Sequence, residues 1–327
     1  MMTELFRRML SIDSTSGMER DFALWLEEHL DAPRKTRYEV GDGTLNLLFS
    51  WGEPKLVFCT HIDTVPPYIA PVFDGDIVRG RGSCDAKGQI FSMYSACRSL
   101  AESGLDGFAL LLLSGEETGS FGAKAFSRTG FTAPYLVIGE PTDNCMASAS
   151  KGTKSFDIHF KGKACHSGYP QFGRSAVEMF VDFMDSLRAK DFGDDALLGK
   201  TSFNIGLLRS DNPQNILSPS LDCRLYFRTT FASDREVCSY MDALACPEIE
   251  VSPRGGDSPA EYYTLPGFQT QPVSFGSDAP HLDGFAHKMI CGPGSILTAH
   301  RDNECVSMAE IAAAVENYIR IFSLLGL

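Results

Sequence analysis

Basic residues are scarce in this sequence. Its 327 residues hold 29 Lys and Arg against 42 Asp and Glu, a formal net charge of −13. Such an acidic balance argues against nucleic acid or an anionic membrane as partner, because both are held through basic faces. Long apolar runs are lacking as well: none approaches the ~20 residues that span a bilayer. The opening stretch, MMTELFRRMLSIDSTS, has no apolar segment and no small-residue cleavage site, so no secretory signal is expected. The 10 cysteines have no paired spacing, which reads as reduced thiols in a cytoplasmic protein rather than a disulfide framework. Internal repeats and low-complexity tracts are also missing.

What is present is ordinary globular composition, 43% hydrophobic and 22% charged, in a chain long enough for about two domains of roughly 150 residues. A capping-box pattern, Ser16-Gly17-Met18-Glu19, precedes a helix with Phe22, Trp25, Leu26 and Leu30 on one face. Apolar runs at 55–58, 108–114, 135–139 and 288–291 then alternate with helical patterns. Between the first two runs lies a helix with a stripe of Ile90, Met93, Tyr94, Cys97 and Ala101, stopped at Gly104. Continuous apolar strands alternating with helices predict an α/β domain with a mostly parallel central sheet buried on both faces and flanked by helices.

The middle of the chain reads differently. SFDIHFKG (155–162) alternates strictly, with Phe156, Ile158 and Phe160 on one face, as a strand wet on one side does. A helix with Val177, Phe180, Met184 and Leu187 follows, then strands near 202–208 and 220–228. Next come a helix opened by a second capping box, Ser233–Glu236, and a strand at 249–252. The order β-α-β-β-α-β is that of a ferredoxin-like unit. The expected organisation is a large α/β domain of residues 1–148 and 256–327 with a small α+β domain, 149–255, inserted. The last helix, capped by Ser307 and Glu310, belongs to the large domain.

Each apolar run of the large domain ends in metal-binding residue types. The first delivers His61 and Asp63, the second Glu116 and Glu117, the third Glu140, and the fourth leads to His300; Asp85 stands before a helix in GRGSCDAKG. In α/β sheets the carboxyl ends of the strands form the ligand crevice, so the pattern gathers imidazoles and carboxylates there. Carboxylates converging in a cleft repel one another, and a pair of divalent cations removes that conflict. Mixed His and carboxylate donors suit zinc, with cobalt and manganese as substitutes. Taken singly, each residue has a plainer reading: a structural histidine, a solvated turn, a helix cap. All of those readings would have to hold together.

In order, the chain carries His61-x-Asp63-Thr-Val-Pro, Gly80-Arg-Gly82-x-x-Asp85-x-Lys87-Gly88, Glu116-Glu117, Gly139-Glu140-Pro-Thr, and Gly292-Pro-Gly294 leading to Ala299-His300-x-x-Asn303-Glu304. Together these resemble the dinuclear-zinc deacylases and carboxypeptidases, among them acetylornithine deacetylase, succinyl-diaminopimelate desuccinylase, aminoacylase and glutamate carboxypeptidases. The resemblance implies that Asp85 bridges two zinc ions, with His61 and Glu140 completing one site and Glu117 and His300 the other. Asp63 would orient His61 from behind, and Glu116 would be the general base acting on a metal-activated water. It further implies an inserted lid that supplies His166 to the substrate carbonyl, often from the partner of a homodimer formed through that domain. Asn215, Arg224 and Ser277 would line the site for a free carboxylate. Local texture around 202–228 and 292–304 looks most like the acetylornithine or acetylcitrulline deacetylases. The expected substrate is therefore a small N-acyl amino acid such as N-acetylornithine, with a carboxypeptidase, a dipeptidase or a succinyl-diaminopimelate desuccinylase as the alternative and a non-catalytic metal-binding homologue as the third reading. Other features carry plainer readings: His281 and His287 are structural, Cys59 and Cys84 are packing residues, and Gly80-Arg81-Gly82 lacks the third glycine of a dinucleotide fingerprint.

Overall fold

The computed structural model describes residues 2–41 and 43–327. The chain divides into two compact units. Met1–Ser148, Tyr262–Gln271 and Ser277–Leu327 form the large one, and Ala149–Glu261 with Pro272–Gly276 the small one. The sequence boundary at 255/256 thus falls early. Ala260 and Glu261 still pair with Ser150 and Ala149, and the Lys151 N–H donates to Val273 O, so both returning segments stay bound to the small unit.

In chain order the large unit begins with α1 (Met2–Leu10), α2 (Arg20–His29), β1 (Arg34–Gly41), β2 (Thr44–Trp51), β3 (Leu56–His61), α3 (Lys87–Glu102), β4 (Phe108–Leu113), α4 (Phe121–Ser127) and β5 (Ala133–Ile138). The small unit follows with β6 (Gly152–Lys161), α5 (Ala176–Ala189), β7 (Ser202–Arg209), β8 (Ser220–Thr229), α6 (Asp234–Leu244) and β9 (Ile249–Gly255). The chain closes with β10 (Phe285–Ile290) and α7 (Met308–Leu324) in the large unit. Among the described residues no helix is long and apolar enough to cross a membrane.

The central sheet has six strands in the order β1-β2-β4-β3-β5-β10. It is mixed, with three parallel and two antiparallel pairings. Strands β4, β3, β5 and β10 run parallel, while β1 and β2 add an antiparallel hairpin at one edge. The alternating half-buried β1, RKTRYEVG, looks like a polar stretch in sequence because only one of its faces is covered. Alternate residues of the buried strands, such as Leu45, Leu47, Phe49, Phe58, Leu110 and Leu112, join α1, α2, α3 and α7 in one core. The others, including Leu48, Val57, Leu111 and Leu136, are buried on the opposite face. This two-sided burial is what the continuous apolar runs encode. Helix α3 lies against the sheet, α1 and α7, so it is buried almost all round from Lys87 to Cys97 instead of along a stripe.

Of the capping boxes, only Ser307/Glu310 forms, with Ser307 in extended backbone and both reciprocal bonds made. At the start of α2 the Ser16 hydroxyl is committed elsewhere, and Glu19 stands at the N-cap without a side-chain bond. Ser233 Oγ is likewise engaged, by the Thr230 N–H and the Thr201 hydroxyl. In the small unit, β7-β8-β6-β9 make a four-stranded antiparallel sheet. Its core is built by Phe156, Ile158, Phe160, Leu225 and Phe227 with Phe180, Phe183, Val237 and Met241 of the two helices. Val177, read as part of that face, points to solvent; Met179 and Phe183 take its place.

Candidate metal centre

The chemistry-bearing residues of the large unit sit where the parallel strands end. β3 terminates at His61, β4 leads into Glu116 and Glu117, β5 into Glu140, and β10 into the loop of His300. Asp85 lies in the turn that opens α3. That turn folds tightly because Gly88 lies under it: a Cβ there would stand 2.3 Å from Ser83 O.

His61 Nε2 is 2.9 Å from Asp85 Oδ1. His300 Nε2 is 2.9 Å from Glu117 Oε1 and 3.4 Å from Asp85 Oδ2. Asp85 therefore stands between two imidazoles, one carboxylate oxygen toward each. Ligand atoms of His61, Asp85 and Glu117 all lie within 4.8 Å of one another. His300 is held at φ 61°, a left-handed conformation uncommon for a residue with a side chain.

Asp63 lies behind His61 and has a second task besides. His61 Nδ1 donates to the backbone carbonyl of Asp63 at 2.9 Å, and the Asp63 carboxylate is only 3.4 Å away at its nearest. The bond to the carbonyl fixes the orientation of the ring and turns Nε2 toward Asp85. The carboxylate instead accepts the Glu116 N–H (3.0 Å), the Glu117 N–H (3.2 Å) and the Ser16 hydroxyl (2.8 Å). It anchors the backbone of the paired glutamates.

The electrostatics are those of crowded, dry carboxylates. Burial pushes the Glu116 carboxyl well above its ordinary range, with Asp278, Glu117 and Asp85 adding to the push against His61. Burial does the same to Glu140, reinforced by Asp85 and Glu116. For Asp85 burial is outweighed by hydrogen bonds from His300 and His61, which hold it below the carboxylate range. Burial disfavours the His61 charge, yet Asp63 and Asp85 raise its pKa well above the usual value. Bonds to Asp85 and Glu117 push His300 up to about 10. The metal-free chain thus uses protons on the imidazoles to balance charge that a cation would balance better.

Three sequence-named residues lie in the small unit. His166 and Asn215 are brought together there: the loops carrying them pair at His166 and Ile216, and the Ser167 N–H donates to Asn215 O at 2.9 Å. His166 Nδ1 accepts from the Gly168 N–H at 3.1 Å, which puts the ring proton on Nε2. Arg224 lies on the sheet face away from the helices. Its guanidinium is occupied by Asp157, at 2.7 and 3.3 Å, and Asp157 is also bound by Arg254 at 2.9 Å. Ser277, in the large unit, is buried and accepts the Ala279 N–H at 3.3 Å.

Sequence reasoning missed several groups. Ser16 reaches Asp63 across 47 positions, with no local signal. Asp278 stands next to the expected Ser277 and was given no role of its own. It is buried with Oδ1 unpartnered among the described residues, and burial raises its pKa to about 6. Arg81 and Glu304 stood inside quoted motifs without a role.

The sequence pattern of peptidase family M20/M25/M40 matches residues 57–323. A protein of Emericella nidulans named as a probable carboxypeptidase is 29% identical over 374 residues, covering 98% of this chain and 88% of that protein. A solved tripeptidase of Staphylococcus aureus superposes with a TM-score of 0.82 at 18% identity, over 98% of this chain and 96% of that one. A dinuclear metal-binding peptidase of Bacillus subtilis, from the M20 family, gives a TM-score of 0.69 at 13% identity, over 100% of this chain and 98% of that one. At such identities the two superpositions speak for a shared fold.

Proposed function

Since the chain belongs to the M20/M25/M40 peptidase family, and is a hydrolase of that family, we propose that it is a metal-dependent carboxypeptidase or dipeptidase acting on short peptides. The observation that carries this reading is the convergence of the buried His61 and Asp85 with Glu117 and His300, next to Glu116 in the chain. The carboxypeptidase names of its relatives favour peptide cleavage over the deacetylation of N-acetylornithine suggested by the sequence texture, and over desuccinylation.

The donor set fits a pair of divalent cations. Asp85 already offers one oxygen to each imidazole, and the buried Glu140 carboxylate receives no hydrogen bond from any described residue. His61, Asp85 and Glu140 would hold one ion, and Asp85, Glu117 and His300 the other. Such donors suit zinc, with cobalt and manganese as substitutes. When bound, the ions supply Lewis acidity, polarising the scissile carbonyl and acidifying water.

The chain's own groups then handle protons and position. Glu116 accepts the proton of the attacking water and returns it to the leaving amine. A carboxyl raised by burial is a stronger base than a solvated one, which suits both halves of that transfer. Asp63 keeps the Glu116 backbone in place through the 3.0 Å bond. His166, with its proton on Nε2, is the proposed donor toward a substrate carbonyl oxygen, and Asn215, Arg224 and Ser277 are the proposed contacts for its carboxylate. Arg224 can take that part only by exchanging Asp157 for the substrate.

The test is a substrate panel: zinc-loaded protein with dipeptides, tripeptides and N-acetyl amino acids, following free amino acid release. The expected result is release of the C-terminal residue from unblocked peptides. Faster cleavage of N-acetyl amino acids would assign deacylation instead, and no cleavage of any member would remove the enzymatic reading.

A further inference from the structure

Arg81 is the largest fully buried side chain described, and its partner Glu304 is buried with it. Arg81 Nη1 donates to Glu304 Oε2 at 2.6 Å. The other oxygen, Oε1, accepts the backbone N–H groups of Cys84 and Asp85 at 3.0 and 3.1 Å. Arg81 also reaches Arg301 O and Pro67 O, each at 3.3 Å, and the Gly80 N–H donates to Glu304 O at 3.1 Å. One ion pair therefore ties together the turn presenting Asp85, the loop carrying His300 and the end of the segment after Asp63.

Stability alone explains this arrangement poorly. A buried ion pair is often matched or bettered by packed apolar side chains of similar volume, because two charges must be stripped of water. What apolar residues could not supply is an acceptor for the two N–H groups at Asp85. Nor could they bind the carbonyl next to His300, whose backbone is held in the left-handed region. We infer that Glu304, gripped by Arg81, is a positioning residue that clamps the Asp85 turn to the His300 loop and so sets the gap across which those two side chains share one metal ion. This rests on the two-metal reading above.

The experiment is equilibrium dialysis of the full chain against Co(II), read by metal content and by the visible absorption of the bound ions, on the parent, Glu304→Gln and Arg81→Lys. An amide at 304 must turn its NH₂ either toward Arg81 or toward the two backbone N–H groups, so a donor faces a donor in both orientations. The parent is expected to take up two ions per chain. Glu304→Gln should bind the ion shared by Asp85 and His300 about 10- to 100-fold more weakly, with an altered spectrum, and the ion held by His61 and Glu140 clearly less so, as loss of a group supporting a ligand does. Arg81→Lys keeps the charge but not the fork, and should show a smaller loss in the same ion. Parental affinity and spectrum in Glu304→Gln would overturn the inference. So would an equal weakening of both ions that tracks the fall in metal-free melting temperature. If Glu304→Gln does not fold, Arg81→Lys decides, and an unchanged second ion overturns the inference. A parent binding fewer than two ions would overturn the two-metal centre itself, and this inference with it.

Discussion

Replacing Asp63 by asparagine exchanges one buried oxygen for an NH₂ group, and the consequence can be worked bond by bond. In the native site Oδ1 accepts the Glu116 N–H, and Oδ2 accepts the Glu117 N–H and the Ser16 hydroxyl. If the amide keeps its oxygen at the Oδ2 position, its NH₂ faces the Glu116 N–H, and that buried donor is left unsatisfied at a cost of about 1–3 kcal/mol. The two surviving bonds fall from charge-assisted to neutral strength, roughly 1 kcal/mol each. The expected loss is about 3–5 kcal/mol, a large share of the 5–15 kcal/mol typical of a folded domain. Denaturant unfolding of metal-free protein should show a lower midpoint at an unchanged slope. Turnover should fall about 10- to 100-fold, since the base's own backbone is what is released.

The pH dependence adds a sign. Burial pushes the Asp63 carboxyl up, but His61 and Ser16 outweigh it and hold the group below its ordinary value. A depressed folded pKa contributes stability that is complete above the unfolded value of about 3.9 and is lost as pH falls through the folded one. The parent's advantage over Asp63→Asn should thus be full near neutrality and shrink below about pH 4. A stability change under about 1 kcal/mol with unaltered turnover would refute the role given to this carboxylate.

Other outcomes follow from the same geometry. Glu116→Gln should keep both metal ions and lose about 10²- to 10⁴-fold in turnover, checked by metal analysis beside kinetics; loss of metal would mean that Glu116 and not Glu117 is the ligand. Ser16→Ala removes one hydrogen bond to a charged acceptor and should cost about 1–2 kcal/mol in unfolding measurements, with metal content unchanged. His61 and His300 are both held protonated at neutral pH in the metal-free chain, His300 up to about 10. Zinc binding at pH 7 should therefore release protons, measurable by calorimetry in buffers of different ionisation heat, and no release would contradict the histidine assignments. In metal-free protein the His300 contribution to stability is complete below its unfolded pKa of about 6.5. It is lost as pH rises through about 10.

Much of the large unit was legible because its signals are local. The runs at 55–58, 108–114, 135–139 and 288–291 became β3, β4, β5 and β10, since burial on both faces leaves an unbroken apolar imprint. The ends of those runs named the polar residues of the centre. Less legible was whatever depends on partners far along the chain. β1 was missed because a half-covered edge strand keeps its charged residues, and β2 was missed although its run, TLNLLFSW, is buried throughout like those of the other inner strands. Ser16 fitted a capping box, but a buried carboxylate 47 residues away competes for the same hydroxyl and wins it. Asp63 was expected behind His61 from the resemblance, two positions along the chain. Spacing cannot tell that its backbone carbonyl takes the imidazole while its carboxylate turns to the Glu116–Glu117 backbone. Substrate choice was least legible, because the metal-ligand types and the general base serve any linear amide alike.

The measurement that bears most directly on the account is a zinc titration of the metal-free chain, with hydrolysis of an unblocked dipeptide followed at each point. The account predicts no turnover without metal, a rise on addition and a plateau at two equivalents. Full activity without metal, a plateau at one equivalent, or no hydrolysis of any peptide at saturation would contradict it.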